Sequence, residues 1–159
     1  MAEDNSQMKG FFRVQLSEDE EDLVGDSGWN ENQVTNLGIR DYLVDNLTGN
    51  SGQQEVTHVN LGTGGEPASA DTSLTGELSD VSDARQAVST SIVSSRTAQF
   101  TAAFNSNDSF VTTSHDISNV GLFNQSGSSG GTLFAGNTYS SSSLDTNQNV
   151  NMTYQIRFS

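Results

Sequence analysis

Cysteine is absent from this chain of 159 residues, lysine occurs once (Lys9), proline once (Pro67), and histidine twice (His58, His115). Without cysteine there is neither a disulfide framework nor a thiolate metal site. The chain is long enough to bury a core without either. Long apolar runs are missing as well, with uninterrupted stretches of only two or three residues such as Phe11-Phe12 and Tyr42-Leu43-Val44. The first ten residues show no basic-then-apolar pattern, so neither a signal peptide nor a membrane span is expected.

Positive charge is scarce. Six basic residues face 20 acidic ones, for a formal net charge of −14. Exchange of lysine for Asp and Glu on a Ser- and Thr-rich surface fits a protein working in very high salt, where a Debye length of about 3 Å screens self-repulsion. An ordinary acidic protein kept soluble by its charge is the alternative. Both argue against nucleic acid as a ligand, because phosphate contacts require Lys and Arg.

What the chain has in quantity is alternation. From Val150 to Phe158 the even positions are apolar (Val150, Met152, Tyr154, Ile156, Phe158) and the odd ones polar (Asn149, Asn151, Thr153, Gln155, Arg157). A period of two marks a strand with one face on a core and the other in water. Burial of such side chains at roughly 1.5–3 kcal/mol each makes this segment a large share of the core.

Residues 1–9 are polar and read as a flexible or docking arm, followed by residues 10–159 as a single domain. Its first strand is Gly10 to Ser17, with Phe12, Val14 and Leu16 alternating against Arg13 and Gln15. Glu18-Asp19-Glu20-Glu21-Asp22 then forms a solvated hairpin tip before a return strand at Leu23-Val24. Glu18, Asp19, Glu20 and Asp22 are cation candidates, without the Asx-Gly spacing of a calcium loop. One helix is expected over Thr35 to Leu47, with Ile39, Tyr42, Leu43 and Leu47 in one apolar stripe, Gly49 and Gly52 at its end, and Trp29 packed beneath it.

A short strand at Val56 to Leu61 leads into Leu61-Gly62-Thr63-Gly64-Gly65, which lacks the Lys-Ser/Thr of a phosphate loop and reads as a turn, with Pro67 stiffening the loop and Asp71 capping. Beyond Asp83 the pattern is β to the end. Strands are expected at Ala84 to Val93, Ala98 to Phe104, Phe110 to Thr113, Ile117 to Asn124, Thr132 to Ala135 and Tyr139 to Leu144. The fold class is mainly β, an antiparallel, jelly-roll-like β-sandwich with one short helix near residues 35–47.

No catalytic, cofactor or metal constellation emerges, and an enzyme is not expected. Ser114-His115-Asp116 spells a triad, yet neighbours on a strand point to opposite faces. His58 has no second ligand at i+2 or i+4. Sequons at Asn46, Asn107, Asn124 and Asn151 match chance in so Asn-rich a chain.

Several ordered blocks carry a resemblance: Trp29 through Asn36-Leu37-Gly38; Leu61-Gly62-Thr63-Gly64-Gly65 with Pro67, Ala68, Asp71, Thr72 and Leu74; Gly121-Leu122-Phe123; Gly131-Thr132-Leu133-Phe134-Ala135; and the terminal strand. Together they resemble small β-rich virion structural proteins of tailed double-stranded DNA viruses. Val120 and Gly136 stand where that family commonly has an acid and an arginine. The resemblance implies a capsid turret, decoration or collar subunit on the outer virion surface, made in the host cytoplasm. Combined with the acid surplus it points to a virus of a halophilic archaeon. It also implies assembly with copies of itself as a trimer, pentamer or ring, and contact with other virion proteins such as the capsid protein. The arm and first strand would dock on the particle and the glycine-rich loops face outward. A tail-tip or fibre module binding a host glycan or receptor is the alternative; neither nucleic acid nor membrane insertion is expected. Phe11, Phe12, Asn151, Thr153, Gln155 and Arg157 are the assembly-interface candidates, because the polar stripe of the last strand is free of acids.

Overall fold

A computed structural model describes residues 8–18, 22–49, 55–82, 84–128 and 130–158. Ten strands follow the alternating patterns: β1 (Met8–Glu18), β2 (Asp22–Asp26), β3 (Asn30–Val34), β4 (His58–Gly62), β5 (Gln86–Ala87), β6 (Ser89–Ser94), β7 (Thr97–Phe104), β8 (His115–Phe123), β9 (Leu133–Leu144) and β10 (Gln148–Phe158). All pair antiparallel, in the order β5-β4-β8-β9-β3-β1-β10-β7-β6 with β2 on β1. The result is the expected antiparallel sandwich. Sheet I holds β2, β1, β10, β7 and β6, and sheet II holds β5, β4, β8 and β9.

Two strands that change sheets make the sandwich nearly a closed barrel. β3 pairs with β1 through Gly10–Phe12 and then with β9 through Gln33 and Val34. On the other side the chain pairs with β4 at Gln86 and Ala87, turns at Val88, and pairs with β7 from Ser89 onward. β2 and β3 lie end to end along one edge of β1, separated by a bulge at Ser27–Trp29. There Gly28 takes φ +66°, a conformation costly for any other residue, while Ser27 and Val14 exchange bonds of 2.9 Å.

The core lies between the sheets. Opposed pairs Phe12 and Tyr154, Val14 and Met152, and Leu16 and Val150 line the inner face of sheet I. They meet Val59, Leu61, Val120, Leu122 and Leu144 of sheet II, all fully buried. In β10, Val150, Met152, Tyr154 and Ile156 are buried, whereas Phe158 is 42% exposed at the open end of the barrel.

One helix, α1, spans residues 36–48 as Asn36–Gly38, a π-helical turn Ile39–Val44, and Asp45–Thr48. Buried Thr35 caps it: its Oγ1 accepts from Gly38 N (2.9 Å) and donates to Leu133 O (2.6 Å), fastening the helix to β9. Tyr42 packs on Phe134, ring centroids 4.7 Å apart.

Several expectations need correction. Met8 and Lys9 belong to β1, not to an arm, because Lys9 sits opposite Arg157 and pairs with Glu31 at 3.0 Å; residues 1–7 lie outside the described residues. The helical stripe is broken, since a π-turn bonds i to i+5 and rotates later positions, leaving Ile39 exposed and Leu47 79% exposed. Trp29 does not lie beneath the helix; the bulge turns it to the outer side of sheet I. Phe110 and Val111 are buried in a loop outside any strand. Residues 84–93 are two strands broken at Val88, and 132–135 with 139–144 are one strand, β9.

Candidate functional site

The outer face of sheet I sets β1, β10, β7 and β6 side by side in register. Its rows read Lys9, Arg157, Thr97 and Ser94; Phe11, Gln155, Gln99 and Ser91; Arg13, Thr153, Thr101 and Ser89; and Gln15, Asn151 and Ala103. None of these residues is an acid. The cause is in the chain, which carries no Asp or Glu between Ala84 and Asn107 or after Asp145. Among the described residues acids reach this face only at its β2/β3 margin, and there Asp26 is held by Arg13 and Glu31 by Lys9. Hydrogen bonds from Arg13 and from Gly28 N keep the Asp26 carboxyl well below the usual carboxylate range.

Cation and aromatic groups gather at one corner. The Arg157 guanidinium lies 4.3 Å from the Phe11 ring centroid and 5.5 Å from that of Trp29, which is 45% exposed. Arg157 also donates through Nε (3.0 Å) and Nη2 (2.6 Å) to Gln155 Oε1, and Gln155 Nε2 donates to Gln99 Oε1 (2.7 Å). This chain of amides orients Arg157 and holds Gln155 buried beneath it. From there a shallow furrow of about 420 Å³ runs over Thr153, Thr101, Asn151, Ala103 and Ser89. The surface is flat, rich in hydroxyl and amide groups, and carries positive charge at one end.

Of the sequence-predicted interface residues, Phe11, Asn151, Thr153, Gln155 and Arg157 share this face. Phe12 does not: it alternates with Phe11, stands opposite Tyr154 and is fully buried, so it is a core residue. Of the cation candidates, Glu18 and Asp22 are paired across the β1–β2 hairpin, and Glu18 Oε1 accepts from Gln148 Nε2 at 3.2 Å. Asp19 and Glu20 lie outside the described residues. Among the described residues no group of three His, Cys, Asp or Glu is placed to hold a metal.

The Ser114-His115-Asp116 segment disperses its side chains. His115 Nε2 contacts Asp80 Oδ1 at 2.9 Å, whereas the Ser114 hydroxyl bonds Asp145. Burial pushes the Asp80 carboxyl up, but the Thr112 amide, His115 and the Thr112 hydroxyl together outweigh it and hold it at about 2. Burial, and then the Arg85 charge, lower the His58 pKa and favour its neutral form.

Sequence reasoning missed the polar cluster that pins the loop after β4 onto sheet II. Arg85, 4% exposed, donates through Nε to Glu77 Oε1 (2.6 Å), through Nη2 to Glu77 Oε2 (3.0 Å), and through Nη1 to Gln125 O and Gly130 O (3.1 and 2.8 Å). Its guanidinium lies 3.6 Å from the Phe123 ring centroid. Asn60 donates to Glu77 Oε1 and Leu78 O, both 2.9 Å; Asn119 donates to Gly65 O and Thr75 O. Gly64 passes so close to Thr75 that a Cβ would lie 2.1 Å from its carbonyl oxygen, which explains part of the glycine cluster. Two arginine bonds to Glu77 of this loop and two to carbonyls of the β8–β9 connection make the cluster structural.

No family of known proteins, no curated protein and no solved structure matches the chain.

Proposed function

We propose that this chain is a structural subunit of a virion surface, a capsid turret, decoration or collar protein, that assembles with copies of itself through the outer face of sheet I. The observation that carries the assembly reading is the absence of acids from the rows of that face on β1, β10, β7 and β6, among the described residues, in a chain of net charge −14. Two such copies repel wherever carboxylates oppose one another, and like charges across an interface cost several kcal/mol. They can approach closely where hydroxyl and amide groups meet instead. The viral setting rests on the ordered sequence blocks, and the brine setting on the acid surplus.

Sedimentation velocity in molar KCl tests the assembly. Thr101 and Thr153 are direct neighbours on the face; the double variant Thr101→Glu/Thr153→Glu places two carboxylates there and is expected to lower the sedimenting mass by breaking that contact. Unchanged mass would overturn the face as the contact. High copy number on purified particles supports the capsid or collar position, and a low one a tail position.

A second reading is favoured by the exposed Trp29 near Arg157, which the Gln155–Gln99 amide chain holds in place, since an aromatic ring close to amides suits a sugar ring. A tail module binding a host glycan would use the same face. Purified protein would then block host adsorption, and Trp29→Ala would lose that effect; block by both forms alike would count against it.

A further inference from the structure

We infer that two copies of this chain join edge to edge through β6, antiparallel about a two-fold axis at Ser91. The inference rests on the self-assembly reading but names a second contact, separate from the outer face. β6 is the last strand of the sheet path, bonded on one side to β7 and, among the described residues, to no strand on the other. All six of its residues are exposed, and Ile92 and Val93 are 85% and 55% exposed. Natural edges are usually blunted by charge, proline or an early bulge. Here the bulge comes only at Val93, and Ser89–Ile92 is a regular, uncharged edge whose outward backbone groups meet no partner among the described residues.

The surface beside this edge is apolar. The seam between the sheets opens where β4 and β6 part, leaving a cleft of about 190 Å³ lined by Met8, Leu43, Val56, Phe100, Ile156 and Phe158, among others. Ile92 stands opposite Ala98, another lining residue, on the same inner face. A strand added to β6 would extend that face across the mouth of the cleft.

Charge and composition select the occupant. A second copy brings an identical strand from a segment without acids, so strongly negative molecules meet there without opposed carboxylates. The segment before Val56, residues 50–54, consists of Asn, Ser, Gly, Gln and Gln and has no apolar side chain to cover Ile92. Register follows from geometry. A two-fold axis perpendicular to the sheet keeps inner face with inner face, so it must pass through a residue. Thr90 and Ser91 both keep the closest pairs within Ser89–Ile92; an axis at Thr90 would set Ile92 opposite Val88, whose N–H already bonds Thr57 O, whereas one at Ser91 sets Ile92 of each copy opposite Thr90 of the other.

The absence of cysteine makes the test direct. At the axis Ser91 faces its own copy at a Cα separation of roughly 4.5–5.5 Å, within the range a disulfide spans. Under mild oxidation in molar KCl, Ser91→Cys is expected to form a covalent dimer, Leu47→Cys on the exposed helix to stay monomeric, and Ile92→Lys to lower the mass in sedimentation. The Thr101→Glu/Thr153→Glu background should still cross-link through Ser91→Cys. If the native chain self-associates but Ser91→Cys cross-links no faster than Leu47→Cys, the β6 seam is wrong and the self-assembly reading stands. A native chain monomeric at every concentration, as when its own segment or an unrelated partner covers the edge, overturns both.

Discussion

Sheets I and II treat their polar side chains in opposite ways. In sheet II they point into packed loops: Arg85, Asn60 and Asn119 are buried, and their donors reach Glu77 and backbone carbonyls. In sheet I they cover an open face in rows of Thr, Ser, Asn and Gln, where Asn151 is exposed and Thr101 and Thr153 half-buried. Burying a polar group without partners costs stability, so these buried donors are tied to acceptors. An exposed one is held only by function or solubility. The contrast separates a structural polar cluster from a surface free to meet a partner.

The strongest way to break this comparison is to remove what both sheets share. β10 pairs on both edges and supplies Val150, Met152, Tyr154 and Ile156 to the common core. A chain ending at Asn149 is expected to yield no soluble folded protein; a cooperative melt of that product would refute the core assignment.

Next in size is Arg85→Ala. It strands the Glu77 carboxylate, 10% exposed, and frees the carbonyls of Gln125 and Gly130. Loss of about 3–5 kcal/mol is expected, as for other broken buried pairs. Urea unfolding measures it, and a loss below about 1 kcal/mol would mean the cluster is not structural.

Salt acts on the whole surface. With a net charge of −14, the protein should melt at a clearly higher temperature in molar KCl than in dilute buffer, because screening removes self-repulsion. Equal melting temperatures would sink the high-salt reading.

Acid should then act through Asp80. Its carboxyl is held at about 2, below its unfolded value near 3.9, so it adds stability above about pH 4 that is lost as pH falls towards 2. Asp80→Asn should flatten that limb of a stability-against-pH curve, and an unchanged limb would show that other carboxylates dominate it.

The smallest effects belong to the open face. Thr101→Ala and Thr153→Ala should each change stability by no more than about 0.5 kcal/mol, typical of surface substitutions. A large loss would show that the face is held for folding and would erase the contrast with sheet II.

Much of the fold was legible because alternation is local. β1 and β10 stand out since each has one dry and one wet face, and Asn149 to Arg157 already read as an acid-free stripe. What stayed hidden depends on partners. The break at Val88 is a change of sheet, invisible to periodicity. Gly136 looked like the end of a strand, yet it sits inside β9, where a Cβ would lie 2.8 Å from Val120 O and 3.0 Å from a Pro67 carbon. Phe110 and Val111 have strand composition, but the neighbouring Thr112 amide bonds the Asp80 carboxylate instead of a ladder. Phe11 and Phe12 were both read as interface residues, although adjacent positions on a strand face opposite ways.

By itself, the sequence determined a β-rich chain with one helix, a terminal core strand and a surface crowded with acids, because backbone period and side-chain type act over neighbouring residues. Only the tertiary structure decided that the acid-free stripe of β10 continues across β1, β7 and β6 into one face, that Trp29 joins it through the Gly28 bulge, and that β6 ends the sheet path with no strand beyond it among the described residues. Those are matters of which distant segments pair and where a strand leaves its sheet, and they follow from contacts far apart in the chain, which no local pattern records.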